Sequence, residues 1–454
     1  MNRPIPIINT PKLKILAACL ASSVFEDTVM KLESYWQATA PSFSAAAKAP
    51  LPAQADVVVI GAGFTGVSAA LTLARSGINV VVLDSEEVMS QASSRNGGHC
   101  NTGVAQNFAS LVGSHGLDQA SRFYKAFDDA VTYVEQLIKQ EQIDCDFRLC
   151  GKLKLASKAS HFSGLQDAWT LMRRTVDPDI QLLSKDEVQR EIGGGDFHGG
   201  LLQQHGGQMH MGKFGVGLAE AAVRSGAKIY THHHVTQLIR LDGYRHRVVT
   251  SQGEILADKV LMATGCSSEG PFPWFQRRIV PVGSFIVVTE PLDNALLHAL
   301  LPENRNYVTS MNIGNYFRTT ADSRLVFGGR ARFAISNPTS DSRSGDILHA
   351  AMAKMFPQLA NTKIDYCWGG MVDMSADRLP HAGEQDGVFY SLGYSGHGTQ
   401  MSVWMGRVMA DLISEKSRDN PWQREAWPAL PGYHGKPWFL PLAGLYYKAK
   451  DRLS

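Results

Sequence analysis

Cysteine is scarce and scattered: six residues, Cys19, Cys100, Cys145, Cys150, Cys266 and Cys367, with no C-x-x-C pair among them. A chain of 454 residues can bury a large core without covalent staples, so neither a disulfide scaffold nor a zinc ribbon is expected. No run reaches the ~18 consecutive apolar residues that a spanning helix needs, so no integral membrane span is predicted. Excess charge is missing too, since 44 Lys plus Arg against 42 Asp plus Glu leaves a net +2. A broad electrostatic footprint for nucleic acid or an anionic membrane is therefore not indicated. Apolar residues at 44% and charged residues at 19% are ordinary for a globular chain and exclude disorder as its main state. Glycine, at 42 residues, is in modest surplus and points to turns and phosphate loops.

Lys12 and Lys14 precede the apolar run Ile15 to Ala21, which imitates a secretory leader, with Leu16-Ala17-Ala18-Cys19 imitating a lipoprotein box. Only four apolar residues separate Lys14 from Cys19, whereas a leader core needs ~7–15. The expectation is that residues 1–29 are an upstream extension and that Met30-Lys31-Leu32-Glu33-Ser34-Tyr35-Trp36 is the natural start. N-terminal sequencing tests this, and retention of Met1 refutes it.

Residues 56–84 read as strand, glycine turn, helix and strand. Asp56 to Ile60 is short and β-branched, as a parallel strand buried on both faces should be. Gly61 permits the tight turn, Gly63 lets the backbone approach a pyrophosphate, and Gly66 allows close packing of helix on strand. Val67, Ala70, Leu71 and Ala74 recur at helical spacing, Gly77 suits the helix stop, and Val80 to Leu83 form the second strand. The helix start offers N–H groups and a positive dipole end to phosphates. Asp84, 18 residues after Gly66, can accept hydrogen bonds from ribose hydroxyls. These features predict a dinucleotide site.

Two further segments favour FAD over NAD. Gln91 to His99 is a small, polar loop directly after the ribose acid, and Val260 to Gly265 is a strand ending in Ala-Thr-Gly, placed beside the cofactor in glutathione-reductase-type domains. Lys228 to Tyr230 and His234 to Leu238 read as strands of the same domain. Val388 to Gln400 forms a third candidate, with glycines ahead of an apolar helix running to Leu412. The start of that helix could stabilise negative charge on reduced flavin.

Together with Gly206-Gly207-Gln208-Met209-His210, the run Tyr316 to Gly329, Arg378-Leu379-Pro380 and Tyr394-Ser395-Gly396-His397-Gly398, this ordered set resembles the D-amino-acid oxidase and glycine oxidase superfamily of FAD enzymes. The likeness is greatest to its γ-glutamylputrescine oxidase branch and runs from Ser34-Tyr35-Trp36 to Leu445-Tyr446-Tyr447. It implies an α/β (α+β overall) architecture, with a glutathione-reductase-like Rossmann FAD-binding domain and a discontinuous mixed-sheet substrate domain. The expected division is a lead-in over 1–54, an FAD-binding domain over 55–135, 200–275 and 370–430, a substrate domain over 136–199 and 276–369, and a tail over 431–454. Carried over residue by residue, the FAD contacts fall on Gly61, Gly63, Phe64, Thr65, Gly66, Asp84, Ser85, Ser94, Arg95, Asn96, Gly97 and Gly98. Val235 falls near the adenine, Gly265 beside the cofactor, and Gly396, His397, Gly398 and Thr399 near the flavin. Asp84 stands where the family usually has Glu, and the shorter acid still reaches ribose.

The implied activity is hydride transfer from the CH–NH group of a small amine to FAD, giving an imine that hydrolyses to an aldehyde. γ-Glutamylputrescine or a related γ-glutamyl polyamine is the first candidate substrate, and oxygen or another acceptor takes the electrons. An N-alkyl or cyclic amino acid of the sarcosine or pipecolate type is the alternative, and a flavin-binding protein without turnover is the alternative of another class. A cytoplasmic location is implied; the oligomeric state is not. An apolar pocket can depress an ammonium pKa from its free value of ~10.4, so no dedicated base is obligatory. His99, His210 and His397 are the candidate bases, His397 foremost, each with a structural or cofactor-holding role as the competing reading. Arg318 aligns with the arginine that clamps a substrate carboxylate in related amino-acid oxidases, or is a paired strand residue. The second carboxylate-binding arginine would fall near Met371-Val372 and is absent, as is the oxygen-activating lysine that would fall near Val326. Cys367 stands where sarcosine oxidases attach flavin covalently, although the branch it most resembles has no cysteine there. His232-His233-His234 alternate along the backbone and cannot converge on one ion, so no metal is expected. Cys145 and Cys150 read as packing thiols, and Trp274, Phe275, Arg277 and Arg278 as a substrate entrance or a domain seam.

Overall fold

The chain is described by a computed structural model over residues 30–267, 270–423 and 427–453. The reading of residues 1–29 as an extension lies outside them. Five strands form the parallel core of the first sheet, in the order Val388–Leu392, Gly253–Met262, Gln54–Ile60, Val80–Leu83 and Lys228–Tyr230. Val58, Val59 and every residue from Val80 to Leu83 have no exposed surface. Burial on both faces is what an uninterrupted β-branched run provides. The hairpin Val235–Asp242 and Arg245–Thr250 attaches to the first half of Gly253–Met262, and His381–Gln385 flanks Val388–Leu392. Helices Phe64–Arg75 and Gly398–Ile413 cross where a Cβ on Gly406 would overlap the Thr65 carbonyl oxygen. Ser68 Oγ donates there to the Val403 carbonyl at 2.6 Å.

The second sheet has eight strands and is mixed. Its order is Ile364–Met374, Val280–Thr289, Leu325–Gly329, Asn315–Thr319, Asn306–Thr309, Lys152–Leu155, Gly200–Gln203 and Gln181–Leu183. All its pairings are antiparallel except Asn306–Thr309 with Lys152–Leu155. Register fixes its two faces. Leu153, Tyr307, Phe317 and Phe327 lie opposite one another and pack with Phe285, Phe356 and Cys367 in one buried cluster. The neighbouring cross-strand rows are Lys152, Asn306, Arg318 and Val326, and Lys154, Val308, Tyr316 and Gly328. These belong to the other face, because side chains alternate along a strand.

Gly200–Gln203 pairs in the mixed sheet although the expected division assigns it to the FAD side, and Ile364–Met374 runs across the expected boundary at 369. We propose the same two-domain division with Gly200–Gln203 transferred to the mixed-sheet side. A short sheet of His99–Asn101, Gly206–Gln208 and Arg148–Leu149 lies between. No helix among the described residues is long and apolar enough to cross a membrane.

Candidate functional site

The first glycine turn is held from both sides. Gly61 N donates to the Leu83 carbonyl at 2.8 Å, and helix Phe64–Arg75 starts after Gly63 with no side-chain cap. A Cβ on Gly66 would overlap the Gly61 carbonyl oxygen, so glycine there is a packing requirement. Phe64 N donates to Ser93 Oγ at 3.0 Å, and Thr65 Oγ1 shares a hydrogen bond with Tyr394 Oη at 2.8 Å. Asp84 accepts from Ala62 N through Oδ2 at 2.6 Å and from Glu86 N through Oδ1 at 2.9 Å. Burial raises its pKa against those hydrogen bonds. Each oxygen keeps a further lone pair for a ribose hydroxyl. Ser85 is exposed beside it, Val235 begins the flanking hairpin, and Gly265, at φ +59, has nothing within 4 Å of its Cβ direction.

The Ser94–Gly98 loop is tied to three other parts of the chain. From the lead-in, Ser34 Oγ donates to the Ser94 carbonyl at 2.7 Å, Gln37 Nε2 to Ser94 Oγ at 2.8 Å, and Trp36 Nε1 to the Asn96 carbonyl at 2.7 Å. From the mixed sheet, Trp368 Nε1 donates to the Arg95 carbonyl at 3.1 Å, while Arg95 Nε donates back to the Gly369 carbonyl at 2.7 Å. Asn96 Oδ1 accepts from Gly98 N at 2.8 Å and from Thr399 Oγ1 at 3.4 Å, which links the loop to the second helix start.

Arg318, on strand Asn315–Thr319, adds to the tie from the mixed sheet, and its partners differ from those the resemblance implies. Nε donates to the Gly97 carbonyl at 2.9 Å, Nη2 to Met209 at 2.7 Å and Nη1 to Thr319 at 3.0 Å. Its guanidinium lies 4.9 Å from the centre of the Trp36 ring. Gly98, at φ +74, has no room for a side chain beside it. The expected carboxylate clamp is thus occupied with backbone carbonyls. Arg318 also borders a cavity of about 130 Å³ with Trp36, Arg148, Gln208, His210 and Asn304.

Helix Gly398–Ile413 starts after His397, again without a side-chain cap. Ahead of it, Asp373 Oδ2 accepts from Gly393 N at 2.8 Å and Tyr394 N at 3.2 Å, and burial pushes its pKa up to about 6. His397 Nδ1 is buried with no partner among the described residues, as is His99 Nε2. Burial lowers both imidazoles to about 3, so both are neutral at ordinary pH. His99 rests edge-on against Tyr316, with ring centres 5.4 Å apart. His210 is different: its Nδ1 accepts from Lys213 N at 3.2 Å as a helix cap, and its Nε2 lies 2.9 Å from Thr39 Oγ1.

Cys367 is fully buried on the helix-facing side, with Sγ donating to the Asp341 carbonyl at 3.2 Å, while the next residue, Trp368, reaches the Arg95 loop. Strand parity therefore corrects the covalent option, since the thiol points away from the dinucleotide side. His232 pairs with Glu87 at 2.8 Å and His233 Nδ1 with the Thr231 carbonyl at 2.7 Å. Trp274, Phe275, Tyr390 and Trp427 form one aromatic cluster, with Arg278 3.6 Å from the Trp274 ring centre, which makes this a packed seam.

Two long helices whose starts carry no side-chain cap, an acid at the end of the second strand and buried nitrogens without partners fit an extended dinucleotide of the FAD type. Lys152, Lys154, Arg330 and Asp373 were not singled out by the sequence reading, and Arg378 only as part of a marker motif. The alternation Lys152-Leu153-Lys154-Leu155 carried the signal for the lysines, because period two puts both on one face.

The family model described as DAO: FAD dependent oxidoreductase matches residues 56–412. The γ-glutamylputrescine oxidoreductase of Escherichia coli (strain K12) is 30% identical over 407 residues, covering 88% of this chain and 93% of that protein. The glycine oxidase of Geobacillus kaustophilus (strain HTA426) is 27% identical over 374 residues, covering 80% and 93%. The crystal structure of glycine oxidase from Bacillus cereus ATCC 14579 superposes with a TM-score of 0.66 at 21% identity, covering 80% and 96%. With the glycine turn, the acid that follows the second strand and the mixed sheet in place, the chain belongs to the DAO family of FAD-dependent oxidoreductases and is an enzyme acting on amines or amino acids.

Proposed function

We propose that this enzyme oxidises the CH–NH group of a small amine carrying a carboxylate, with γ-glutamylputrescine or a related γ-glutamyl amine as the first candidate. Identity of 30% across 88% of the chain to a γ-glutamylputrescine oxidoreductase carries the reading. In this reading Gly63, Phe64, Thr65 and Gly66 hold the pyrophosphate, Asp84 the ribose, and Ser94 to Gly98 with Gly396 to Thr399 the flavin end. Gly61, Ser85, Val235 and Gly265 frame the adenosine half. Bound FAD supplies the acceptor for a hydride from the carbon next to nitrogen, and the imine left behind hydrolyses to an aldehyde. His397 and His99, both neutral, can accept a hydrogen bond from the substrate nitrogen or a ring atom without adding charge. Arg318 orders the loop between the two sheets and is a positioning residue. Electrons pass on to oxygen or another acceptor, and we place the reaction in the cytoplasm.

An N-alkyl or cyclic amino acid is the second reading. It is favoured by the cationic residues on the face of the mixed sheet that carries Tyr316. Anaerobic mixing of the purified yellow protein with γ-glutamyl amines, free amines and amino acids decides between them. Loss of the flavin absorbance with a γ-glutamyl amine is expected, and bleaching by amino acids alone moves the assignment to the second reading. No bleaching with any of the three classes overturns both.

A further inference from the structure

Helix Leu440–Leu453 is held to the body of the protein along one stripe. Leu440 is buried with Val280, Val282 and Tyr433, at the start of strand Val280–Thr289. Gly444 lies against Phe333, whose side chain is 3.2 Å from where a Cβ would stand, and the Tyr447 ring stacks on Phe333 with centres 5.5 Å apart. Asp451, also buried, accepts from Asn312 N at 2.9 Å, Asn312 Nδ2 at 2.7 Å and Ile313 N at 2.8 Å. Leu440, Gly444, Tyr447 and Asp451 follow one another at the three- and four-residue steps of a single helix face.

The opposite face is apolar as well, and it is open. Leu442, Leu445 and Tyr446 expose 62%, 65% and 62% of their surface, and Trp438, just ahead of the helix, exposes 72%. Ile335, at 49%, is the next most exposed large apolar side chain among the described residues. Exposed apolar side chains scattered singly need no explanation, whereas four gathered in one short segment mark an interaction surface. Lys448 and Lys450 leave the helix on either side of this face, and both are exposed, as is Arg452. Over residues 436–453 Lys436, Lys448, Lys450 and Arg452 stand against one acid, Asp451, so this segment carries a side-chain charge of +3 where the whole chain carries +2. The carboxylate of Asp451 is turned inward to Asn312 and Ile313, which leaves the outer side apolar and cationic.

We infer that this face docks on an anionic membrane surface. Leucines with Trp and Tyr beside them and lysines along both flanks are the arrangement of a helix lying in the plane of a lipid interface. The apolar side chains enter the acyl boundary, the aromatic rings sit at headgroup level and the ammonium groups reach lipid phosphates. Such a helix lies on the bilayer and needs no span. A second copy of the chain is the competing occupant, and charge decides against it: pairing through this face sets two cationic rims against each other, whereas acidic headgroups neutralise the rim. The inference goes beyond the amine-oxidation reading and does not depend on it.

The test sediments the full-length, FAD-loaded enzyme with vesicles of phosphatidylcholine alone or of phosphatidylcholine and phosphatidylglycerol at two to one. Partition onto the mixed vesicles is expected to be at least ~10-fold greater and to weaken as salt is added. Leu442→Ser combined with Leu445→Ser, and separately Lys448→Glu combined with Lys450→Glu, should each remove most of the binding while the flavin spectrum in solution stays unchanged. Wild-type enzyme that stays in the supernatant with both vesicles, or that binds both equally, overturns the proposal, and that comparison stands even if a variant fails to fold. Binding to the mixed vesicles that survives both pairs of substitutions also overturns it, because the contact then lies elsewhere. Sedimentation equilibrium without lipid covers the competing occupant: a dimer that the serine pair abolishes, with no vesicle binding, gives the face to a second copy and overturns the membrane assignment.

Discussion

Arg318 spends three donors on the carbonyls of Gly97, Met209 and Thr319, so its removal strands three acceptors in the interior. Arg318→Met should therefore cost about 3–5 kcal/mol of stability, read from denaturant unfolding of the FAD-loaded protein. Arg318→Lys keeps the charge but cannot span three divergent carbonyls, and should lose about 1–3 kcal/mol. A residue that only clamped substrate would leave stability unchanged and raise KM, which is the outcome that would refute this assignment. Asp373 gives a prediction in pH. Its carboxyl is raised from 3.8 to about 6 by burial, so the fold prefers the protonated acid. The contribution to stability is full below about pH 4 and is lost as pH rises through 6, a difference on the order of 2–3 kcal/mol. Both loop amides use the same oxygen, Oδ2, and an amide oxygen can replace it. Asp373→Asn should thus gain stability relative to wild type as pH rises from 4 to 7, and a constant difference across that range would count against it.

At the scale of elements, the short helix Tyr35–Thr39 pins a loop about sixty residues further on through Ser34, Trp36 and Gln37. Trp36→Phe keeps a ring in place and deletes the bond to the Asn96 carbonyl. It should cost ~1 kcal/mol and speed the release of FAD on dilution, followed by flavin fluorescence; an unchanged release rate would show that the pin does not reach the cofactor. The sequence made Ser34-Tyr35-Trp36 visible as a marker, but its role depends on partners in another element and was not legible. The glycine turn was legible because strand, turn, helix and second strand are all local. Parity decided the cases between: Cys367 and Trp368 are neighbours in a strand, so only one can face the dinucleotide, and the sequence did not say which. The Lys152 and Lys154 face was likewise readable as a face, because both residues fall on the same side of one strand.

For the whole molecule, the parallel sheet follows from uninterrupted Val and Ile runs, whereas the assignment of Gly200–Gln203 to the mixed sheet depends on pairing with Lys152–Leu155, about fifty residues away. Such pairings are set by the assembled core and not by local pattern. The same distinction governs cofactor choice. The Gly61–Gly66 turn and Asp84 suit the adenosine half of any dinucleotide, while in the proposed reading the loop tied to Trp36, Trp368 and Arg318 holds the other half. On that reading FAD should stabilise the entire chain, since its far end engages a loop anchored in the lead-in, the mixed sheet and helix Gly398–Ile413. At FAD concentrations 100-fold above Kd the gain is ~2.7 kcal/mol, seen as a rise in Tm that grows with added FAD. NAD, added to the flavin-free protein at the same concentrations, should shift Tm by much less. An equal shift by NAD would mean that the adenosine half carries the binding and that the Ser94–Gly98 loop contributes nothing to choosing the cofactor.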